Sequence, residues 1–152
     1  MHRDQLARRE FLALAGAGVA LMTLSPFAAE ATPASVLQAI EKAIGAKAFK
    51  EGKIALELPQ IAENGSVVPL GVTVESPMTE KDFVKSVHLY ADGNPLPEIA
   101  DYHFGPHNGK AEFSLRIRLA KSQKIVAVAQ LSNGDVYIAR REVKVTIGGC
   151  GG

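Results

Sequence analysis

Residues 125–138 read IVAVAQLSNGDVYI, two apolar runs separated by a polar turn. The dipeptide Asn133-Gly134 lies at the centre of that turn. A two-residue turn between antiparallel strands requires positive φ angles, which asparagine and glycine adopt more readily than other residues. The segment therefore predicts a β-hairpin, with strands at 125–128 and 136–138.

Apolar and polar residues alternate in several other segments of the chain. In FSLRIRLA, residues 113–120, every second residue is apolar as far as Leu119. Such alternation predicts strands with one buried face and one solvated face, as in antiparallel sheets. Further strands are predicted at 54–58, 72–75, 87–89 and 143–147.

About seven short strands separated by turns are typical of a β-sandwich. The predicted fold class is all-β: an immunoglobulin-like antiparallel β-sandwich with a short N-terminal helix and a flexible C-terminal arm. The chain has one cysteine and no tryptophan, so it lacks the disulfide framework of antibody domains. An apolar core alone must hold the sheets together, and a mature chain of about 120 residues is large enough to form one.

Residues 32–47 read TPASVLQAIEKAIGAK and predict a helix before the first strand. Thr32 or Ser35 can cap its N-terminus, and Pro33 suits its first turn. Gly45 is the predicted stop. The apolar residues at helical spacing are Val36, Leu37, Ile40 and Ile44. They predict one apolar stripe, with Leu37 widening it.

Composition and charge exclude several classes of function. Of the 152 residues, 47% are hydrophobic and 22% are charged, as in globular domains rather than disordered chains. The chain has 17 Lys and Arg residues against 16 Asp and Glu residues, so no basic excess predicts a nucleic-acid partner. A single cysteine excludes an internal disulfide framework and any zinc site that requires several cysteines.

The N-terminal segment has the features of an export signal in the usual order. Arg8 and Arg9 precede an apolar run at residues 11–24, which is too short to span a bilayer comfortably. Ala29-Glu30-Ala31 then offers a small-residue cleavage signal. The pattern resembles a twin-arginine signal, with Ala7 at the position usually held by Ser or Thr.

Cleavage after Ala31 divides the chain into three parts. Residues 1–31 form the predicted signal peptide, residues 32–147 the helix and sandwich domain, and residues 148–152 the C-terminal arm. The mature protein is predicted to be periplasmic, without membrane association after processing. An exposed thiol in such an oxidising compartment is open to disulfide formation and over-oxidation.

Three histidines of the mature chain, His88, His103 and His107, raise the question of a metal site. The last two are four residues apart, but Gly105-Pro106 between them prevents a helix that would place them on one face. We expect both on a loop, and we expect His88 to point to solvent from its strand. No metal ligand and no catalytic residue is therefore predicted among them.

The chain ends in Gly148-Gly149-Cys150-Gly151-Gly152, which contains its only cysteine. Glycine on both sides gives the backbone maximal freedom, whereas a catalytic nucleophile must be held in place. No Lys or Arg in these five residues stabilises a thiolate. A thin, flexible end of this kind can enter a narrow channel of another protein, thiol first. The pattern predicts a covalent carrier rather than an enzyme, with activation supplied by the receiving protein.

An exported β-rich domain with this tail resembles the SoxY family, the sulfur-carrier subunits of the bacterial thiosulfate-oxidising Sox system. The tail matches the family pattern at all five residues. The resemblance implies that Cys150 is the site of covalent sulfur attachment. It implies a flexible arm formed by Gly148, Gly149, Gly151 and Gly152. It also implies that this arm is anchored to the sandwich by Val143, Val145 and Ile147.

The same resemblance implies a set of partners. A second β-sandwich subunit, SoxZ, pairs with the carrier as a heterodimer. The c-type cytochrome SoxAX loads thiosulfate oxidatively, and the dimanganese hydrolase SoxB releases sulfate. The molybdenum–haem dehydrogenase SoxCD oxidises the remaining sulfane sulfur where it is present. The carrier itself needs no cofactor beyond the sulfur intermediate on Cys150.

Two other interpretations of the tail are open, and a third is excluded. An exported β-sandwich binding module would be tethered to a partner by a permanent disulfide at Cys150. A ubiquitin-like carrier would hold sulfur as a thiocarboxylate on Gly152, although such carriers act in the cytosol and mix helix with sheet. Lipid attachment of the C-a-a-X type requires a cysteine fourth from the end, whereas Cys150 is third.

Overall fold

The computed structural model describes residues 31–149. Helix α1 covers Pro33–Ile44, and a short 3-10 helix covers Pro106–Asn108. The strands, in chain order, are β1 (Lys50–Glu51), β2 (Ile54–Glu57), β3 (Ile61–Asn64), β4 (Val68–Val74), β5 (Val84–Ala91), β6 (Glu98–His103), β7 (Ala111–Ile117), β8 (Gln123–Leu131) and β9 (Val136–Ile147).

The strands form two sheets that pack as a sandwich. The larger sheet has the order β1-β9-β8-β5-β6, with β3 also paired to β9, and the smaller sheet has the order β2-β4-β7. The predicted all-β sandwich with one short helix is confirmed. Most neighbours are antiparallel, but β1 and β3 pair in parallel with opposite halves of β9. Strand β9 therefore has a neighbour on both flanks.

Strands β1, β3 and β6 were not predicted from the sequence. Two segments predicted as separate strands form one continuous strand in the structure. Most side chains of β1, β3 and β6 are exposed or half-buried, so these strands lack a clear apolar alternation. The segments predicted at 136–138 and 143–147 both belong to β9, a single strand of 12 residues. Arg140, Arg141 and Glu142 are exposed at its middle. The apolar pattern stops there, while backbone pairing with β8 continues.

The predicted hairpin is formed by β8 and β9. Gly134 adopts a φ of 89°, in the left-handed region that favours glycine. The Leu131 N–H donates to the Asp135 carbonyl at 2.9 Å, which closes the turn. Pairing then runs from Gln130↔Val136 along the two strands. The turn signal in the sequence therefore places this hairpin correctly.

The inner faces of the two sheets enclose the main core. The β4 residues that are at most 3% exposed are Val68, Leu70, Val72 and Val74. The larger sheet contributes Leu89, Ile125 and Val143 to the same cluster. Burial of one such side chain contributes about 1.5–3 kcal/mol. The core thus joins the sheets without a disulfide, as the cysteine count predicts.

Helix α1 begins and ends as its sequence predicts. The Ser35 N–H donates to the Thr32 hydroxyl at 3.2 Å, and the Thr32 N–H donates to the Ser35 hydroxyl at 2.7 Å. This capping box satisfies two backbone donors that the first turn leaves free. Gly45 ends the helix with a φ of 72°. Among the described residues, no helix has the length and apolar character needed to cross a membrane.

Helix α1 packs on the outer face of the larger sheet. Val36 and Ile40 are buried against Tyr90 and four aliphatic residues of β8 and β9. These four residues are Val126, Val128, Val136 and Ile138. Leu37 is 48% exposed, so it does not widen the buried stripe as predicted. One residue further along a helix is a rotation of about 100°, which turns Leu37 away from the sheet.

Tyr90 lies on the outer face of β5 and is 1% exposed. Burial raises the pKa of its phenol to about 12, and the carboxylates of Asp101 and Glu98 add to the shift. Unfolded chains ionise tyrosine near pH 10, so the stability due to neutral Tyr90 is complete below about pH 10 and falls as the pH rises further. We predict that Tyr90→Phe raises the midpoint pH of alkaline unfolding measured by circular dichroism. An unchanged midpoint would contradict this assignment.

Candidate functional site

Strand β9 carries the chain toward its C-terminal end between two neighbours. Strand β8 pairs with it as far as Val143, and the hydroxyl of Ser122 then accepts a hydrogen bond from the Val145 N–H at 2.8 Å. On the other flank, β3 pairs with it as far as Asn64↔Ile147. The last strand is therefore fixed as far as Val145 on the β8 side and up to its final residue, Ile147, on the β3 side.

Three backbone hydrogen bonds connect the end of β9 with two turns. The Gly65 N–H donates to the Ile147 carbonyl at 2.8 Å, and the Leu119 N–H donates to the Gly65 carbonyl at 2.7 Å. The Gly149 N–H in turn donates to the Leu119 carbonyl at 2.9 Å. Five residues meet at this point, and together they are called the tail seat: Gly65, Leu119, Ala120, Gly148 and Gly149.

The tail seat leaves no room for side chains on its three glycines. A Cβ atom on Gly65 would overlap the carbonyl oxygen of Leu119, and one on Gly148 would overlap that of Ala120. A Cβ atom on Gly149 would lie 2.9 Å from the Gly65 backbone. None of the three glycines has a φ in the left-handed region. They are needed because backbones approach closely here, and not because the chain turns.

These contacts change the interpretation of the predicted arm. The sequence predicts flexibility from Gly148 onward, whereas the structure holds Gly148 and Gly149 against the sandwich and buries Gly149. The boundary at 148 is therefore placed too early for the contacts observed. The other predicted site residues lie outside the described residues, and their roles stay predictions: Cys150, Gly151, Gly152, Arg8 and Arg9.

The end of β9 is anchored through its main chain. Of the three predicted anchors, Val143 is buried and Val145 is partly buried against the core. Ile147 is 67% exposed, so the prediction is wrong for its side chain. The strand has passed the inner core at that point, and the Ile147 carbonyl bonds to Gly65 instead.

Gly65 is not predicted from the sequence as part of a site. The Asn64 side chain accepts a hydrogen bond from the Ser66 N–H at 2.8 Å, a turn typical of asparagine. The dipeptide Asn64-Gly65 is the local signal for that turn. The approach of Leu119 and Gly149 to the same glycine has no local signal, because those residues are distant in sequence.

The histidines lie in different surroundings from those predicted. His103 is the last residue of β6 and not part of a loop. His88 is 6% exposed and does not face solvent, because β5 is a central strand with both faces covered. His107 is exposed on the short 3-10 helix. Across residues 31–149, no group of three or more His, Cys, Asp or Glu side chains is arranged to hold a metal ion.

His88 connects two polar neighbours within the larger sheet. Its Nδ1 lies 2.7 Å from Asp101 Oδ1, and its Nε2 lies 3.0 Å from Ser86 Oγ. The order Asp–His–Ser is that of a hydrolase triad. Ser86, however, is 4% exposed on a central strand, so a substrate cannot reach its hydroxyl. The network therefore satisfies polar atoms that the sheet buries, and it connects β5 with β6.

Comparisons with known proteins agree with the family resemblance inferred from the tail and with the observed fold. A family model described as "Sulfur oxidation protein SoxY" matches residues 40–150. The solved sulfur carrier protein SoxY from Chlorobium limicola f thiosulfatophilum is 36% identical, covering 72% of this chain and 94% of that chain, with a TM-score of 0.62. A superoxide reductase (neelaredoxin) from Ignicoccus hospitalis shares the fold alone, at 21% identity, 76% and 94% coverage, and a TM-score of 0.55. No curated protein matches. The resemblance read from the tail is thus confirmed, and the chain belongs to the SoxY family of sulfur oxidation proteins.

Proposed function

We propose that this chain is a periplasmic sulfur carrier that holds thiosulfate-derived sulfur covalently on Cys150 and presents it to successive Sox enzymes. Family membership supports sulfur as the cargo, since the relative from Chlorobium is itself named a sulfur carrier protein. One observation carries the proposal. The only thiol of the chain stands one residue beyond the anchored Gly149, at the residue where the family match ends.

Loading of this thiol with thiosulfate is an oxidation. The Cys150 sulfur and the terminal sulfur of thiosulfate form a disulfide bond, and the thiol proton and two electrons leave. The electrons require an acceptor, and the cytochrome SoxAX is the partner proposed for that role. The product is a cysteine S-thiosulfonate.

Release of sulfate from this product is a hydrolysis. One water molecule attacks, and the bond between the sulfane sulfur and the sulfonate sulfur breaks. Hydrogensulfate leaves, and a persulfide remains on Cys150. SoxB is the proposed enzyme for this step, and SoxCD, where present, is proposed to oxidise the remaining sulfane sulfur.

The chain acts in this scheme as a carrier and not as an enzyme. A cysteine becomes a strong nucleophile when a nearby cation stabilises its thiolate. No Lys or Arg stands in the last five residues, so the receiving enzyme supplies the activating group. We propose a SoxZ-like subunit as the heterodimeric partner and transient contacts with the other Sox proteins. Nucleic acid, membrane and resident cofactor have no part in the proposal.

The alternative is an exported sandwich that stays attached to one partner through a disulfide at Cys150. The Arg8-Arg9 signal fits both functions, because both require the oxidising side of the membrane. The two differ in the lifetime of the bond: a carrier exchanges its cargo, whereas a tether keeps one partner.

The test is the intact mass of the protein isolated without reductant from its host grown on thiosulfate. We expect a mixture of species whose added masses correspond to sulfane sulfur, thiosulfonate or sulfonate on Cys150, with the reducible ones lost on reduction. An unmodified thiol, or one stable partner bound by disulfide, would refute the carrier function. An adduct on the Gly152 carboxylate would instead support a ubiquitin-like carrier.

A further inference from the structure

We propose that Gly65 is a positioning residue for the carrier thiol. In this inference, which rests on the proposed function of Cys150, the tail seat holds the root of the tail so that the thiol leaves the domain at one place. This role requires no contact between Gly65 and the cysteine or the cargo. It acts by accepting the backbone of Gly149 at a distance that any side chain would prevent.

The contacts of Gly65 come from two directions. Its N–H is bonded to the end of β9, and its carbonyl is bonded to the turn at Leu119, which in turn binds the Gly149 N–H. Gly65 therefore fixes both the strand that leads to the tail and the turn that receives it. If Gly65 served only the turn that it forms with Asn64 and Ser66, its N–H and carbonyl would not bond to Ile147 and Leu119.

The glycines of the tail root lie where only glycine fits. The atoms that a Cβ on Gly148 or Gly149 would strike are backbone atoms of Ala120, Gly65 and Ser66. Backbone atoms of packed turns cannot move aside as the end of a flexible side chain can. If Gly148 and Gly149 served flexibility alone, they would have free space around them. The close fit on both sides indicates a site built to receive them.

The tail seat limits where the thiol can be. Consecutive Cα atoms are about 3.8 Å apart. When the tail seat holds Gly149 in a fixed place, the Cα of Cys150 is therefore confined to about 3.8 Å from that place. A tail free from Ile147 onward would allow about 11 Å. Reactions between a bound thiol and a partner site depend steeply on position. An occupied tail seat therefore presents the thiol to a partner in a small, defined volume.

The first test is amide hydrogen exchange of ¹⁵N-labelled full-length protein by NMR. We expect the Gly149 amide to be protected in the wild type, and to exchange about tenfold faster in Gly65→Ala. Gly105→Ala is the matched control, because Gly105 has a φ of −136° and free space for a Cβ. Unchanged Gly149 protection in Gly65→Ala, with the Leu89 amide still protected, would overturn the proposal.

A second variant keeps the test decisive if Gly65→Ala does not fold. Gly149→Ala places a Cβ 2.9 Å from Gly65 from the side of the tail. It lies beyond the last strand, so we expect the core to stay intact while the tail root leaves the tail seat. Wild-type protection of the residue 149 amide in this variant would also overturn the proposal.

The functional readout compares loading with and without a partner. Tetrathionate loads a thiol alone: the cysteine sulfur bonds to one thiosulfonate group, and thiosulfate and a proton leave. We expect Gly65→Ala to react with tetrathionate within about twofold of the wild type. We expect its partner-dependent adduct in thiosulfate-grown cells to fall about tenfold, because positioning is lost. Equal falls in both reactions would indicate a damaged thiol or fold and refute a positioning role.

The two proposals fail in different ways. If wild-type protein never acquires a sulfur adduct in cells, the carrier function is wrong, whatever the exchange data show. If the wild type is loaded and Gly65→Ala is loaded equally well despite fast exchange at Gly149, the carrier function stands and the positioning role is wrong.

Discussion

Cys150→Ser will reduce the covalent sulfur adduct and the thiosulfate-dependent oxidation of the host to background. Serine has nearly the size of cysteine, but its oxygen cannot form the sulfur–sulfur bond on which loading depends. The fold is not expected to change, because the residue follows the last strand and the described core lies within residues 31–149. Mass spectrometry of the isolated protein and growth of the host on thiosulfate measure the two effects.

A relocated thiol provides the control for this prediction. Lys110 is exposed in the turn before β7, and only its backbone N–H is bonded there, to Asn108 at 2.8 Å. In Cys150→Ser/Lys110→Cys, we expect tetrathionate to modify the new thiol while host thiosulfate oxidation stays at background. Restored oxidation would contradict the importance of the tail, because a thiol anywhere on the surface would then suffice.

Leu89→Ala will lower the free energy of unfolding by about 2–5 kcal/mol, as expected for a leucine truncated in a packed core. Leu89 is 1% exposed on the inner face of β5, within the cluster shared by both sheets. A cavity there removes contacts from both layers of a sandwich that has no disulfide to join them. Urea unfolding followed by circular dichroism measures the loss.

The matched control is Leu96→Ala, in the loop that precedes β6. Leu96 is 72% exposed, so its truncation should change the free energy of unfolding by less than about 0.5 kcal/mol. Similar losses for the two variants would mean that the inner cluster does not carry the stability of the sandwich, and would contradict the core assigned here.

Local patterns in the sequence predict much of this fold. The Asn133-Gly134 turn, the capped helix and the alternation in β4 and β7 are each encoded within a few residues. Strands β1 and β3 are not, because they add to an edge of β9 through backbone bonds and bury few side chains. Burial of His88 was missed for a related reason: alternation along a strand cannot indicate whether its second face is also covered.

The candidate site is predictable in one part and not in the other. The tail is recognisable because a lone cysteine between glycine pairs is a local and unusual pattern. The tail seat joins three segments, at residues 65, 119–120 and 148–149, that only the folded chain brings together. The sequence alone does not distinguish a glycine that provides flexibility from a glycine that allows close packing of backbones. Only the space around each of them, seen in the structure, separates the two explanations.

The two flanks of β9 also determine how the domain responds to force. In the proposed carrier function, a partner that holds the cargo would pull on the chain at Cys150, and the pull would act along β9. The hydrogen bonds to β8 lie across that direction, and the parallel partners β1 and β3 add bonds on the opposite flank. The bonds are therefore loaded together in shear and must break together, whereas bonds at a peeling edge break one after another. A load applied along the tail is therefore shared by backbone bonds on both flanks of β9.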